Sequence, residues 1–242
     1  MLITSLDNDR IKKYVKLQEN KKYRDELGLF IVEGEHLVEE AYKSNLIEEV
    51  IVLENEIVNF DCEIVNVTKE ILKKISLNES VPSIMALCKK KEEKSLGDKV
   101  LILDNIQDPG NLGTIIRSSV AFGISDIILS DDTVDLYNPK VIRSTEGMLF
   151  YINIVRRNII DEINRLKNNN YIIYGTNVDN GIDVREVSEK NKYALIMGNE
   201  GNGIKEEVLD LCDEYLYITI KDNCESLNVG VATSILLYEL NR

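Results

Sequence analysis

The chain has 242 residues, enough for two domains or one large one at roughly 100–200 residues per domain, and its 44% apolar content suffices for a core, which excludes a disordered chain. A net charge of −13 argues against indiscriminate nucleic-acid binding. No run reaches the roughly 18 apolar residues of a membrane span, and Met1–Asp7 lacks the basic start and apolar core of a signal peptide, so a cytoplasmic protein without membrane association is expected.

In chain order, residues 5–27 read as one helix, with Ser5 or Asp7 as cap and Gly28 as its end. This start is basic on an acidic protein. Within residues 1–24, seven Lys/Arg (Arg10, Lys12, Lys13, Lys16, Lys21, Lys22, Arg24) face three acids (Asp7, Asp9, Glu19). That balance fits either local contact with a phosphate backbone or a solvated helix face. Leu29–Val32 is a short strand and Glu35–Ser44 a helix, which carries the single histidine, His36, in a surface or packing role. Val50–Leu53 and Ile64–Val67 are strands, Thr68–Lys74 a helix capped by Thr68, and Ser83–Cys88 a strand. Alternating strands and helices make this a compact α/β unit. Lys89–Lys99 is charged and aperiodic, so the chain divides into a domain 1–92, a linker 93–99 and a domain 100–242.

The second domain opens on Val100–Leu103, a continuous apolar run suited to a strand buried on both faces of a parallel sheet. The Asp108–Gly110 turn leads into a helix over Asn111–Phe122, then a strand at Ile127–Leu129 and a helix around Lys140–Glu146. Strands at Tyr151–Val155, Tyr171–Tyr174 and Ala194–Met197 alternate with helices at Ile160–Lys167 and Lys205–Cys212. Tyr215–Ile220 is a further strand, and Val229–Leu240 is the last helix, with Ser226 or Asn228 as cap. Repeated β-α units ending in glycine-rich loops predict an open parallel sheet with ligands at the carboxyl ends of its strands. The four cysteines are scattered without a Cys-x-x-Cys pair, which favours reduced structural thiols over a disulfide framework or a zinc site, and no metal is expected.

Three loops are candidates for one ligand site. Asp108–Thr114 places Gly110 and Gly113 at a helix start, with Arg117 in the helix beyond, at the margin of the apolar face made by Ile115, Ile116, Ser119 and Val120. It lacks the Gly-Lys-Ser/Thr ending of a phosphate-binding P-loop. Met197–Gly203 spaces its glycines as G-x-x-G-x-G rather than G-x-G-x-x-G, and Glu200 inside it would repel a pyrophosphate. That disfavours a nicotinamide-dependent oxidoreductase and suits a cationic or hydroxyl-bearing ligand. The third loop is Glu225–Asn228.

Together, Asn111–Arg117, Gly198–Gly203 and Glu225–Val229 resemble the three ordered motifs of the SpoU (TrmH-like) branch of the SPOUT RNA methyltransferases, over about residues 100–242. Residues 1–90 resemble that family's ribosomal-protein-like α/β RNA-binding domain, notably at Arg24 and Phe30–Gly34. The resemblance implies an α/β fold whose C-terminal SPOUT domain has a parallel sheet and a C-terminal trefoil knot. It implies transfer of a methyl group from S-adenosylmethionine to a ribose 2′-hydroxyl of structured RNA, ribosomal rather than transfer RNA, by a homodimer. By the same resemblance Arg117, Asn111, Glu200, Ser226 and Asn228 are the catalytic set, and Gly198, Ile218, Leu227, Met197, Gly203 and Ile220 form the cofactor pocket. Arg24, Arg143, Lys12 and Lys13 contact RNA. Where the family has Ile-Pro-Met or Ile-Pro-Ile and then a Gly ahead of the third motif, this chain has Ile218-Thr219-Ile220-Lys221-Asp222. That removes a rigid turn and a position tolerant of positive φ. It is the feature that favours the alternative, an RNA-binding dimer of the same fold with weak or lost activity.

Overall fold

The computed structural model describes residues 2–176, 181–188, 191–221 and 223–242. The chain forms two compact units, Met1–Glu92 with Asp135–Phe150, and Glu93–Val134 with Tyr151–Arg242. The segment Asp135–Phe150, which the sequence reading placed in the second domain, therefore belongs to the first unit.

The first unit begins with β1 (Leu2–Ile3), α1 (Asp9–Glu19) and α2 (Lys21–Leu27). The single helix expected over 5–27 is two helices, because Asn20 leaves the helical region at φ −124°, ψ 107° and its side chain accepts a hydrogen bond from the backbone N–H of Tyr23 at 3.0 Å. Asparagine competes for local backbone donors in this way and so favours caps over helix interiors. The first cap is Asn8 rather than Ser5 or Asp7, and Gly28 closes α2 in the left-handed region at φ +66°. After these come β2 (Leu29–Glu33), α3 (Glu35–Lys43), β3 (Ile47–Leu53), β4 (Glu63–Val67), α4 (Lys69–Ile75) and β5 (Ile84–Lys89). The five strands order as β1-β4-β3-β5-β2, with β5 antiparallel to both neighbours and the other pairs parallel. Ile11, Tyr14 and Leu17, one turn apart along α1, share a buried core with Ile71 and Ile75 of α4 and with Ile31, Ile51 and Met85 of the sheet.

Two charged groups hold this unit from within. Glu33, at the end of β2, accepts from Gln18 (2.6 Å), Ser76 (2.5 Å), the Leu77 N–H (3.2 Å) and Asn78 (2.9 Å), and so ties α1 to the loop after α4. Arg24 is a correction to the expected RNA surface. Its side chain is only 5% exposed; the guanidinium donates to the carbonyls of Leu17 (2.6 Å) and Gln18 (3.1 Å) and to Asp135 at 2.7 Å. It closes the last turn of α1 and anchors the returning segment. That segment, with α6 (Pro139–Ser144), also stacks Tyr137 and Phe150 against Phe30. Arg143, on α6, is exposed and donates to the Asn78 side chain.

The second unit comprises β6 (Lys99–Leu103), α5 (Pro109–Ala121), β7 (Asp126–Leu129), β8 (Asn153–Arg156), α7 (Ile159–Asn168), β9 (Ile172–Thr176), β10 (Ile182–Asp183), β11 (Tyr193–Met197), α8 (Glu206–Leu209), β12 (Glu214–Tyr217) and α9 (Val229–Leu240). Its seven strands run β10-β12-β9-β11-β6-β7-β8, and every pairing is parallel. Val100, Leu101, Ile102 and Leu103 are fully buried, as a central parallel strand requires. The strand expected over Tyr215–Ile220 stops at Tyr217; Leu216 pairs with Thr176 of β9, and Tyr217 with Asp183 of β10. The helix expected over Lys205–Cys212 is the four-residue α8. Among the described residues no helix is long and apolar enough to cross a membrane.

Removing one member of a buried ion pair leaves the other charge uncompensated. Arg24→Ala is expected to lower unfolding stability by about 3 kcal/mol, measured by urea denaturation; a change within error would show that Asp135 and the two carbonyls find water instead.

Candidate active site

Parallel pairing sends the chain out of β6, β9, β11 and β12 at the same edge of the sheet, and the three candidate loops leave there. The first is shaped by Asp108, whose carboxylate accepts the Asn111 N–H at 2.8 Å and caps α5, with Pro109 in the first turn where its missing N–H is harmless. In the second, Asn199 and Gly203 exchange both backbone hydrogen bonds at 2.9 Å. The Asn199 carbonyl oxygen accepts from the N–H groups of Gly201 (2.9 Å) and Asn202 (3.2 Å), while its amide donates to the Asn105 carbonyl (2.9 Å). Gly198 admits no side chain, since a Cβ would lie 2.2 Å from the carbonyl carbon of Gly203. In the third, Asn228 is the N-cap of α9, accepting from Gly230 (2.9 Å) and Val231 (3.3 Å).

The loops are joined by their side chains. The Asn228 amide donates to the Asn111 carbonyl oxygen at 2.9 Å, and the Asn111 amide donates to Glu200 at 3.0 Å. Both asparagine orientations follow from the ends of this chain: Glu200 only accepts when ionised, and the N–H groups of α9 occupy the Asn228 oxygen. Beneath the loops, α5 packs on α9, with the Ser118 and Ser234 hydroxyls 2.6 Å apart and Gly230 seated against Thr114.

Beside this chain lies a cleft of about 360 Å³. Of the residues assigned to the cofactor, Met197, Gly198, Gly203, Ile218, Ile220 and Leu227 all line it, as do Glu200 and Ser226 of the catalytic set. Asn111 and Asn228 stand outside the lining and reach it through Glu200. Arg117 is also outside the lining; it is exposed on α5, about 9 Å along the helix axis from Asn111 at the usual rise. Among the described residues it makes no hydrogen bond or ion pair. Lys12 and Lys13, on α1, stand in the first unit, with Lys12 exposed and 3.5 Å from Asp7.

Sequence reasoning missed several wall residues. Thr176, at the end of β9, lines the cleft while its hydroxyl donates to the Ile196 carbonyl, and Val229, Ala232 and Leu236 of α9 supply an apolar side. Glu225 adds a second carboxylate. The helical spacing of Val229, Ala232 and Leu236 was a usable signal; the arrival of Thr176 from β9 had none. Thr219 is exposed between two lining residues, and its hydroxyl donates to Asp183. Asp222 lies outside the described residues.

Chemically, apolar walls with glycine-lined backbone suit a flat heterocycle, and two carboxylates without any Lys or Arg in the lining suit a cationic ligand. S-adenosylmethionine, an adenosine carrying a sulfonium, has both properties, so the residues present fit it.

Comparison with known proteins agrees. The model of the SpoU rRNA Methylase family matches residues 98–238, and that of the MRM3-like substrate binding domain matches residues 8–86. The 23S rRNA (guanosine(2553)-2′-O)-methyltransferase RlmP of Bacillus subtilis (strain 168) is 38% identical, with 98% of each chain aligned. The crystal structure of an AdoMet-bound rRNA methyltransferase from Sinorhizobium meliloti superimposes with a TM-score of 0.88 at 28% identity, over 99% of this chain and 97% of that one. The fold is shared with the SpoU methyltransferase AviRb from Streptomyces viridochromogenes in complex with AdoMet, TM-score 0.86 at 24% identity, over 96% and 97% of the two chains.

Because Asn228 both caps α9 and orients Asn111, Asn228→Ala should cost about 1–2 kcal/mol of stability in urea unfolding. An Asn228→Ala protein as stable as the parent would mean that the cap contributes nothing here.

Proposed function

The chain belongs to the SpoU rRNA methylase family, and we propose that it methylates the ribose 2′-hydroxyl of a guanosine in 23S rRNA, using S-adenosylmethionine. The observation that carries this reading is the Asn228–Asn111–Glu200 hydrogen-bond chain, which joins all three motif loops at the rim of the cleft. When bound, the sulfonium supplies an already electrophilic methyl group, so no covalent enzyme intermediate is needed.

This chain's residues then bind and orient. Met197, Gly198, Gly203, Ile218, Ile220 and Leu227 hold the cofactor, largely through backbone and apolar contact, and the carboxylates favour its positive charge. Asn111, Ser226 and Asn228 fix the ribose so that its 2′-oxygen faces the methyl carbon, and Glu200 holds Asn111 in place; alignment of this kind supplies a large share of the rate. As the 2′-oxygen takes up the methyl group, its proton would pass to solvent water and the demethylated thioether would be released. Arg117 stabilises the developing alkoxide and anchors a neighbouring phosphate. It acts as a fixed cation rather than a base, since guanidinium is not deprotonated in proteins. Its exposure, and the lack of a partner for it among the described residues, support a role toward RNA. Lys12 and Lys13 of α1, with Arg143, supply phosphate contacts from the first unit. The reading includes a homodimer, a C-terminal trefoil knot and work on ribosomal RNA in the cytoplasm.

Mapping 2′-O-methyl sites in ribosomal RNA from cells with and without the gene tests the proposal: one guanosine of 23S rRNA should lose its methyl group, and an unchanged map would refute it. Arg117→Ala should lower kcat by about 100-fold, in line with loss of one preorganised donor. Near-parental turnover in Arg117→Lys would rule out a requirement for the planar guanidinium. Charge reversal at Lys12 and Lys13 should weaken RNA binding and flatten its salt dependence by about one unit of slope per lost phosphate contact.

A further inference from the structure

Past Tyr217 the chain leaves β12 and forms part of the cleft wall. Ile218 and Ile220 line the cleft, while β12 has ended and the last registered pairs are Leu216 with Thr176 and Tyr217 with Asp183. Thr219, between the two isoleucines, is absent from the lining, so its side chain is free to hold the segment from behind. Its hydroxyl donates to the carboxylate of Asp183.

Asp183 is built to receive it. The residue is buried and sits in β10 directly opposite Tyr217. Its carboxylate accepts from Arg185 three times, from the backbone N–H (3.0 Å), from Nε (2.9 Å) and from the terminal guanidinium nitrogen (2.6 Å). The two guanidinium contacts form a fork, which fixes the plane of the carboxylate as well as its position. Arg185 is held in turn, because its carbonyl accepts from Arg242 at 3.3 Å. The Arg185 guanidinium first, and the Thr219 hydroxyl second, hold the Asp183 carboxyl well below the usual carboxylate range. The acceptor therefore stays ionised above that range and would be neutralised only in strong acid.

We infer that Thr219 is a positioning residue for the cofactor: its hydroxyl, latched to the Arg185-braced Asp183, fixes the Ile218–Ile220 wall of the cleft in its binding conformation. The reason is entropic as well as geometric. A stretch that lies beyond the end of its strand must be ordered whenever ligand binds, and a bond already made in the free protein removes part of that cost from the binding step. The latch works at the wall, remote from the transferred methyl group, so it acts on cofactor affinity and leaves turnover at saturation alone. It rests on the assignment of the cleft to S-adenosylmethionine.

Calorimetric titration of the full-length protein with S-adenosylmethionine, alongside methylation kinetics, tests the latch. Thr219→Val keeps the shape and removes the hydroxyl; it should raise Kd and KM by roughly tenfold to 150-fold, the range for one hydrogen bond to a charged group, with kcat unchanged. Thr219→Ser restores the hydroxyl and should bind within about twofold of the parent. Combined with Asp183→Ala, Thr219→Val should add little to the loss that Asp183→Ala causes alone, since both remove the same bond. Parental affinity in Thr219→Val, a Ser variant as weak as the Val variant, or fully additive losses would each overturn the latch. Parental protein that fails to bind S-adenosylmethionine would overturn the cofactor assignment itself, and the latch with it.

Discussion

In the second unit, every strand pairing of the seven-stranded sheet is parallel, and the site depends on that constraint. Parallel strands leave their carboxyl ends on one edge, so the loops after β6, β11 and β12 gather there with the end of β9, although they are far apart in sequence. An antiparallel pairing anywhere among these four strands would have sent one loop to the opposite edge. The price of the arrangement is that each strand must return by a long connection, and in this chain several of those connections are the helices that also cover the sheet.

Gathering the loops is not enough to make a site, because loops rich in glycine have many conformations. Here each is fixed by an asparagine or aspartate that captures backbone N–H groups: Asp108 for the first, Asn199 for the second and Asn228 for the third. Two asparagines then make the chain that ends on Glu200, and its direction is imposed from both ends, by the helix donors of α9 and by a carboxylate that only accepts. The same residue type thus serves twice, once as a local cap and once as a connector between loops. A short polar side chain with both a donor and an acceptor is suited to both tasks.

The first unit uses charge for a different purpose. Arg24 and Glu33 lie near the expected RNA-facing stretch, yet both are committed to internal partners, Arg24 to two carbonyls and Asp135, Glu33 to four donors. Arg24 is buried and Glu33 half-buried, and charges withdrawn from water in this way persist only where several partners replace it. Under the proposed function, phosphate contact from α1 falls instead to the lysines that remain outside, Lys12 among them.

By itself the sequence determined the parallel sheet and the three loops, because those properties are written in local pattern, and the resemblance of the three loops to known motifs supplied residues of the cleft. Val100–Leu103 is apolar without a break, glycines mark the turns, and Asn228 stands where a helix start needs a cap. The break at Asn20 was equally local but was overlooked among the helix-favouring residues on either side. Tertiary structure decided what no local pattern encodes. Arg24 meets Asp135 across 111 positions and Asn111 meets Asn228 across 117, so neither the burial of the arginine nor the linkage of the loops could be read along the chain. Thr219 belongs with these: a threonine among isoleucines reads as strand until Asp183 is seen beside it.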